Sequence, residues 1–236
     1  MTRLLRREGF RVSFKRIHRL WRAEGLKVPK KKRKRRAKGQ GKHACHKLRA
    51  ARMGHVWAWD FIFDHTTNGG TIKCLSIVDE FTRECITLDV SRSITAEDVI
   101  DRLAELFVMH GVPECIRSDN GPEFVAKAIQ RWLSSMNVKT LYVEPGSPWQ
   151  NGYAESFHSR LRDELLNMEQ FETIRQARAC ISIWRDDYNE DRPHGALDGL
   201  TPREFAIHCA ASATVAARPP LQQHSESSPV TQPVLS

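Results

Sequence analysis

Three acidic residues set the problem: Asp60 in W-A-W-D-F, Asp119 in S-D-N-G-P-E-F and Glu155 in N-G-Y-A-E-S-F. Asp119 follows a short apolar segment and precedes Asn-Gly-Pro, which is ordinary turn chemistry. The same position also suits a metal ligand. If the three side chains converge, their like charges repel unless a cation is bound. Clustered carboxylate oxygens with room for water suit Mg2+ or Mn2+. Two such ions activate an attacking oxygen and stabilise a leaving one in phosphoryl transfer. The sequence has 28 acidic residues, so spacing alone selects no triple. Asp64 shares the strand parity of Asp60, and Asp79 and Glu123 are further candidates. Asp64 and Asp79 read as strand-end or hairpin surface. Glu123 reads as an acid near a helix start, favoured by the dipole, or as a supporting partner of the site.

The elements that must position these acids follow from periodicity. G-H-V-W-A-W-D-F-I-F-D reads as a strand with Asp60 at its middle, T-T-N-G-G as a hairpin turn, and T-I-K-C-L-S-I-V-D as a second strand. E-C-I-T-L-D-V makes a third. Thr95 caps a helix with Asp98 at the capping-box position; Val99, Ile100, Leu103, Leu106 and Phe107 form its buried stripe and Gly111 ends it. E-C-I-R-S is a fourth strand ending at Asp119. Val125 to Met136 reads as a helix with Ile129, Trp132, Leu133 and Met136 inward, V-K-T-L-Y-V as a fifth strand, and a third helix starts near Gln150 and carries Glu155. The order βββαβαβα implies a mixed α/β sheet with helices on its faces. In such a fold strands one and four are neighbours and the third helix packs near their ends. Beyond Phe171 another helix follows, and Thr201-Pro202-Arg203-Glu204 places a cap, a first-turn proline and an N3 acid.

Charge divides the chain. Residues 1–52 hold 21 Lys/Arg against 2 Asp/Glu, and the remainder holds 16 against 26. A basic arm on an acidic body points to a polyanionic partner. Residues 13–25 read as an amphipathic helix: Ser13 caps it, Phe14, Ile17, Leu20 and Trp21 form an apolar stripe, and Gly25 ends it. Lys15, Arg16, Arg19 and Arg22 give it a basic face, suited to a helix-turn-helix contact with DNA or simply to solvent. The run containing Lys30, Lys31, Lys32, Arg33, Lys34, Arg35 and Arg36 repels itself into an extended linker that can track phosphates. The same letters also fit a nuclear-import signal.

The segments therefore fall at 1–28 (partial helix-turn-helix-like DNA-binding segment), 29–52 (basic linker), 53–168 (α/β core), 169–209 (C-terminal helical part) and 210–236, a disordered Ala/Ser/Pro/Gln-rich tail. No apolar run spans a membrane, the N-terminus lacks a secretory pattern, and six cysteines without a C-x-x-C pair suggest free thiols in a reducing cytoplasm. His43, Cys45, His46 and His55 look like a zinc set, but the paired half of such a motif is missing, so they read as scattered linker residues. His158, one turn after Glu155, can approach the acids; His194 reads as a local packing or hydrogen-bonding residue.

W-A-W-D-F, I-V-D-E-F-T-R-E-C, S-D-N-G-P-E-F and W-Q-N-G-Y-A-E-S-F resemble the catalytic core shared by retroviral integrases and bacterial insertion-sequence transposases. Thirty-five residues separate Asp119 from Glu155, the spacing of that superfamily's second and third acids, and Arg162 follows at its usual basic position. The block from Tyr188 to Phe205 resembles the C-terminal part of second-frame products from insertion sequences with two overlapping frames. The resemblance covers roughly residues 3–207. It implies an RNase H-like fold with a five-stranded mixed sheet, and Asp60, Asp119 and Glu155 as catalytic ligands of two Mg2+ ions, with Mn2+ able to substitute. It further implies strand cleavage by water and transfer by a 3′-hydroxyl. Arg162 would contact DNA, as would Gln150 and Asn151 beside the scissile phosphate; helix capping is the plainer role for those two. The implied partners are double-stranded DNA at element ends and target, further copies of the chain and an upstream-frame product. The implied location is the cytoplasm, at the nucleoid. The family's N-terminal helical region is usually longer than the one before this core. A DNA-binding remnant without catalysis and an RNase H-like nuclease that cuts without joining are the rival readings.

Overall fold

The computed structural model describes residues 1–26, 48–119, 126–143 and 151–216. Two short helices open the chain, α1 (Thr2–Arg7) and α2 (Phe14–Ala23). The core then runs β1 (Val56–His65), β2 (Thr71–Asp79), β3 (Cys85–Ser91), α3 (Ala96–His110), β4 (Cys115–Ser118), α4 (Lys127–Ser135), β5 (Lys139–Tyr142) and α5 (Gly152–Leu161). A π turn (Arg162–Leu166) prolongs α5, and α6 (Ile174–Glu190) and α7 (Pro202–Ala216) follow. The strands form one mixed sheet in the order β3-β2-β1-β4-β5, with β1 antiparallel to β2 and parallel to β4.

Alternation along β1 gives the sheet two dissimilar faces. Trp57 and Trp59 join Leu75, Ile77, Leu103, Leu106, Ile116, Ile129 and Leu133 beneath α3 and α4. The opposite parity sends Ile62, Ile72, Cys74 and Val78 toward Phe157, Leu161, Ile181 and Trp184 of α5 and α6. Asp60 shares parity with Ile62, so it faces α5. The expected capping box of α3 is present, with Thr95 accepting from the Asp98 amide and Asp98 from the Thr95 amide. The same device starts α7 through Thr201 and Glu204.

Several expectations need correction. Met136 is exposed, because α4 ends at Ser135 and Met136 caps it outside the stripe. On α2 only Ile17 is buried; Phe14, Leu20 and Trp21 are exposed, since among the described residues no second layer covers them. Helix α1 has no counterpart in the sequence reading, and it is tied to the core by a two-pronged Arg7–Glu204 ion pair at 2.8 and 2.9 Å. Helix α7 continues to Ala216, past the expected start of disorder at Ala210; its alanines are good helix formers. Among the described residues no helix is long and apolar enough to cross a membrane.

Asp79 is buried, contrary to the surface expected. Its Oδ1 accepts from the Phe81 and Thr82 amides, and its Oδ2 from that of Gly54, so it ties off the turn after β2. The next residue, Glu80, accepts from Arg117 Nε at 2.6 Å, and both side chains are almost wholly out of water, at 0% and 6% exposure. Removing one partner leaves a buried, uncompensated charge. Arg117→Met should therefore destabilise the fold by roughly 3–5 kcal/mol, and Glu80→Leu in the same chain should recover most of that. Urea unfolding of both variants is the measurement.

Candidate active site

Strand pairing brings the first two acids together. In the parallel β1–β4 ladder Val56 faces Cys115 and Ala58 faces Arg117. Continued two steps past its last pair, the same register would bring Asp119 level with Asp60, and the Asp119 charge does act on the Asp60 carboxyl. Glu155 comes from α5, whose buried residues Ala154, Phe157 and Leu161 fix its rotation. Glu155, His158 and Arg162 fall at i, i+3 and i+7, along one adjoining face.

His158 connects that face to β1. Its Nδ1 lies 3.6 Å from Asp60 Oδ2, and its Nε2 is 2.8 Å from Ser76 Oγ. Ser76 sits directly opposite Asp60 in the β1–β2 ladder and donates its hydroxyl proton to the Asp60 carbonyl. Burial, assisted by the Arg162 charge, lowers the His158 pKa to about 4. The contact is therefore a neutral imidazole beside a carboxyl group, not an ion pair.

Asp60 records the convergence. Burial, then the charge of Asp119 and to a lesser degree that of Glu155, push its pKa up to about 6, against the pull of the Phe61 amide on Oδ1. Asp60 Oδ2 and His158 Nδ1, 3.6 Å apart, are both atoms of side chains that ligate cations. Carboxylate oxygens brought to that point would fit a hard divalent ion. Among the described residues no three such side chains already stand close enough to ligate one ion.

The remaining candidates are distributed as follows. Asn151 precedes the first residue of α5, but its side chain makes no capping hydrogen bond; Oδ1 is buried without a partner. Arg162 is exposed where α5 gives way to the π turn. Lys15, Arg16, Arg19 and Arg22 are all exposed on α2. Gln150, Glu123 and the run Lys30, Lys31, Lys32, Arg33, Lys34, Arg35 and Arg36 lie outside the described residues, as do His43, Cys45 and His46. Asp64 accepts from the His65 amide. His55 accepts from the Ala51 amide and lies 3.5 Å from Glu114, a local brace. His194 packs edge-on against Tyr188. Sequence reasoning missed Ser76; a lone hydroxyl inside C-L-S-I-V, at the parity of Asp60, was its only signal.

Folding lifts the Asp60 pKa from 3.8 to about 6, so the folded state holds the proton more tightly than the unfolded chain. Stability without divalent metal should fall as pH rises from about 4 to 6 and stay lower above that, by up to about 3 kcal/mol. Asp60→Asn should lack this loss. Relative to pH 3.5, the variant should gain on the parent through that window, as read by metal-free thermal or urea unfolding.

Comparison with known proteins identifies the family and the fold. Two family models, both described as integrase core domain, match residues 50–148 and 136–202. The 31.7 kDa protein of insertion element IS407 from Burkholderia multivorans is 41% identical over 212 residues, covering 89% of this chain and 75% of that protein. The 39.2 kDa protein of insertion element IS476 from Xanthomonas euvesicatoria is 39% identical over 206 residues; the alignment covers 87% of this chain and only 58% of that protein. Among solved structures, the HTLV-2 integrase catalytic core domain in complex with magnesium superposes with a TM-score of 0.51 at 16% identity, covering 67% of this chain and 99% of that one. The fold is thus the RNase H-like one. The chain belongs to the integrase-core family of bacterial insertion-element transposases, a phosphoryl-transfer class.

Proposed function

We propose that this chain cuts DNA strands at the ends of its own insertion element and joins the freed 3′-hydroxyls to target DNA. The observation that carries the reading is the half-buried Asp60 carboxylate, which meets His158 of the Glu155-bearing helix at 3.6 Å and feels the charge of Asp119. Asp60, Asp119 and Glu155 would hold Mg2+, with Mn2+ as a substitute. A pair of such ions would polarise the phosphate and make the attacking oxygen a better nucleophile. The magnesium complex of the HTLV-2 core supports that choice of ion.

The chain's own part is to bind and orient. Water displaces the 3′-oxygen at the element end, leaving a 3′-hydroxyl and a 5′-phosphate. That hydroxyl then displaces the 3′-oxygen of a target phosphodiester, one P–O bond forming as another breaks, with no DNA linked to a side chain. Arg162, about 10.5 Å along the helix from Glu155, presents an exposed guanidinium to the backbone. Gln150 and Asn151 flank the scissile phosphate. The basic face of α2 and the run Lys30 to Arg36 supply sequence-independent affinity. Holding two element ends together requires more than one copy, so this reading includes a homo-oligomer on DNA.

Strand joining of a labelled element-end duplex in Mg2+ or Mn2+ tests the proposal. Asp119→Asn and Glu155→Gln should each abolish joining while DNA affinity stays within about twofold of the parent. Joining that survives either change removes that acid from the site, and a parent that binds ends without cutting them favours a DNA-binding remnant. Neutralising Lys30 to Arg36 should weaken binding to all sequences alike and flatten its salt dependence by up to about 0.9 log units per lost phosphate contact. A loss confined to element ends would mean that the arm reads bases.

A further inference from the structure

Asp119 and Glu155 belong to elements distant in sequence, β4 and α5, and those elements share a brace that contains no candidate acid of the site. The turn Glu80–Glu84, between β2 and β3, touches both. Glu80 holds β4 through the buried bond to Arg117, two residues before Asp119, and Arg117 also donates to the Leu48 carbonyl at 2.7 Å. Arg83 holds α5: its guanidinium carbon lies 3.8 Å over the ring centre of Tyr153, two residues before Glu155. The same guanidinium donates to the Glu80 carbonyl, so the two grips are tied to each other. Arg83 does this with a left-handed backbone, φ +66°, while its amide donates to the Asp79 carbonyl at 2.9 Å. That conformation is unfavourable for a residue with a Cβ. A glycine would occupy the turn without strain, so fold stability alone does not account for an arginine there.

We infer that the β2–β3 turn is the spacer of the site. Glu80 through Arg117, and Arg83 through Tyr153, set the distance between Asp119 and Glu155, which makes Arg83 and Tyr153 positioning residues for the divalent cation. This assignment rests on the reading of Asp60, Asp119 and Glu155 as one metal site. Loosening the brace lets two like charges move apart, and the cost falls on cation affinity rather than on folding.

The test is Mn2+ binding to the full chain without DNA, followed by the electron paramagnetic resonance signal of free Mn2+, beside thermal unfolding in metal-free buffer. Arg83→Gly, which relieves the backbone strain, and Tyr153→Leu should each weaken Mn2+ binding by about tenfold or more, as loss of a residue supporting a metal ligand does. Their melting temperatures should stay within about 2 °C of the parent, a small change for a chain of this size. The double variant should bind Mn2+ no worse than the weaker single one, because the two side chains act through one contact. Parental Mn2+ affinity in either single variant, or fully additive losses in the double one, would overturn the brace. Asp119→Asn separates the two ideas. If it impairs Mn2+ binding while Tyr153→Leu does not, only the positioning role falls; if Asp119→Asn binds normally, the metal site falls and the brace with it.

Discussion

The candidate site depends first on the parallel pairing of β1 with β4. That short ladder, from Val56–Cys115 to Ala58–Arg117, fixes the register that, continued, would bring Asp119 level with Asp60. A slip of one residue would turn Asp119 away from its neighbour and send Ile116 out of the core. The ladder is too short to resist such a slip unaided, and its surroundings reinforce it. Trp57 and Ile116 are locked beneath α3, the long antiparallel pairing of β1 with β2 keeps β1 straight, and the buried Glu80–Arg117 bond pins β4 from the side. The fold thus holds together carboxylates that would separate in solution.

The two faces of the sheet divide the work. The face under α3 and α4 is packed mainly with apolar side chains, and its tryptophans contribute large contact area. The opposite face is apolar at Ile62, Cys74 and Val78 and polar where Asp60, Ser76 and His158 meet. Tyr188, Trp184 and Phe157 seal the far side of that face with ring contacts of 5.0 to 5.5 Å. Chemistry and packing are therefore not in competition for the same positions. The N-terminal helices stand outside this division and reach the core through Arg7 and Glu204, a carboxylate that also caps α7 and is held down to about pKa 2 chiefly by Arg7.

Period-two and period-3.6 patterns made most of the core readable in advance. The order of strands and helices, the capping boxes at Thr95 and Thr201, and the parity of Asp60 all follow from local rules. Contacts between elements distant in sequence do not. Nothing near Asp79 reveals that its carboxylate will be enclosed by amides of its own turn and of Gly54, so it reads as surface. Arg83 looks like any loop arginine until α5 brings Tyr153 beneath it, and Ser76 gains its role only from the partner strand. The exposed stripe of α2 misleads for the opposite reason: amphipathicity reports a capacity for burial, and no second layer of the described structure meets it. The acids themselves were identified by resemblance, since spacing among so many carboxylates has no unique solution.

The π turn at Arg162–Leu166 has a different kind of consequence. Such a turn is what a helix shows when it has absorbed one surplus residue without breaking. Upstream of it, Ala154, Phe157 and Leu161 keep their seats and hold Glu155 in place; downstream, Leu166 is buried again in the same cluster. The surplus is confined to the stretch that begins with Arg162. A residue gained or lost there would re-aim the exposed Arg162 guanidinium and leave Glu155, two turns earlier on the same continuous helix, undisturbed.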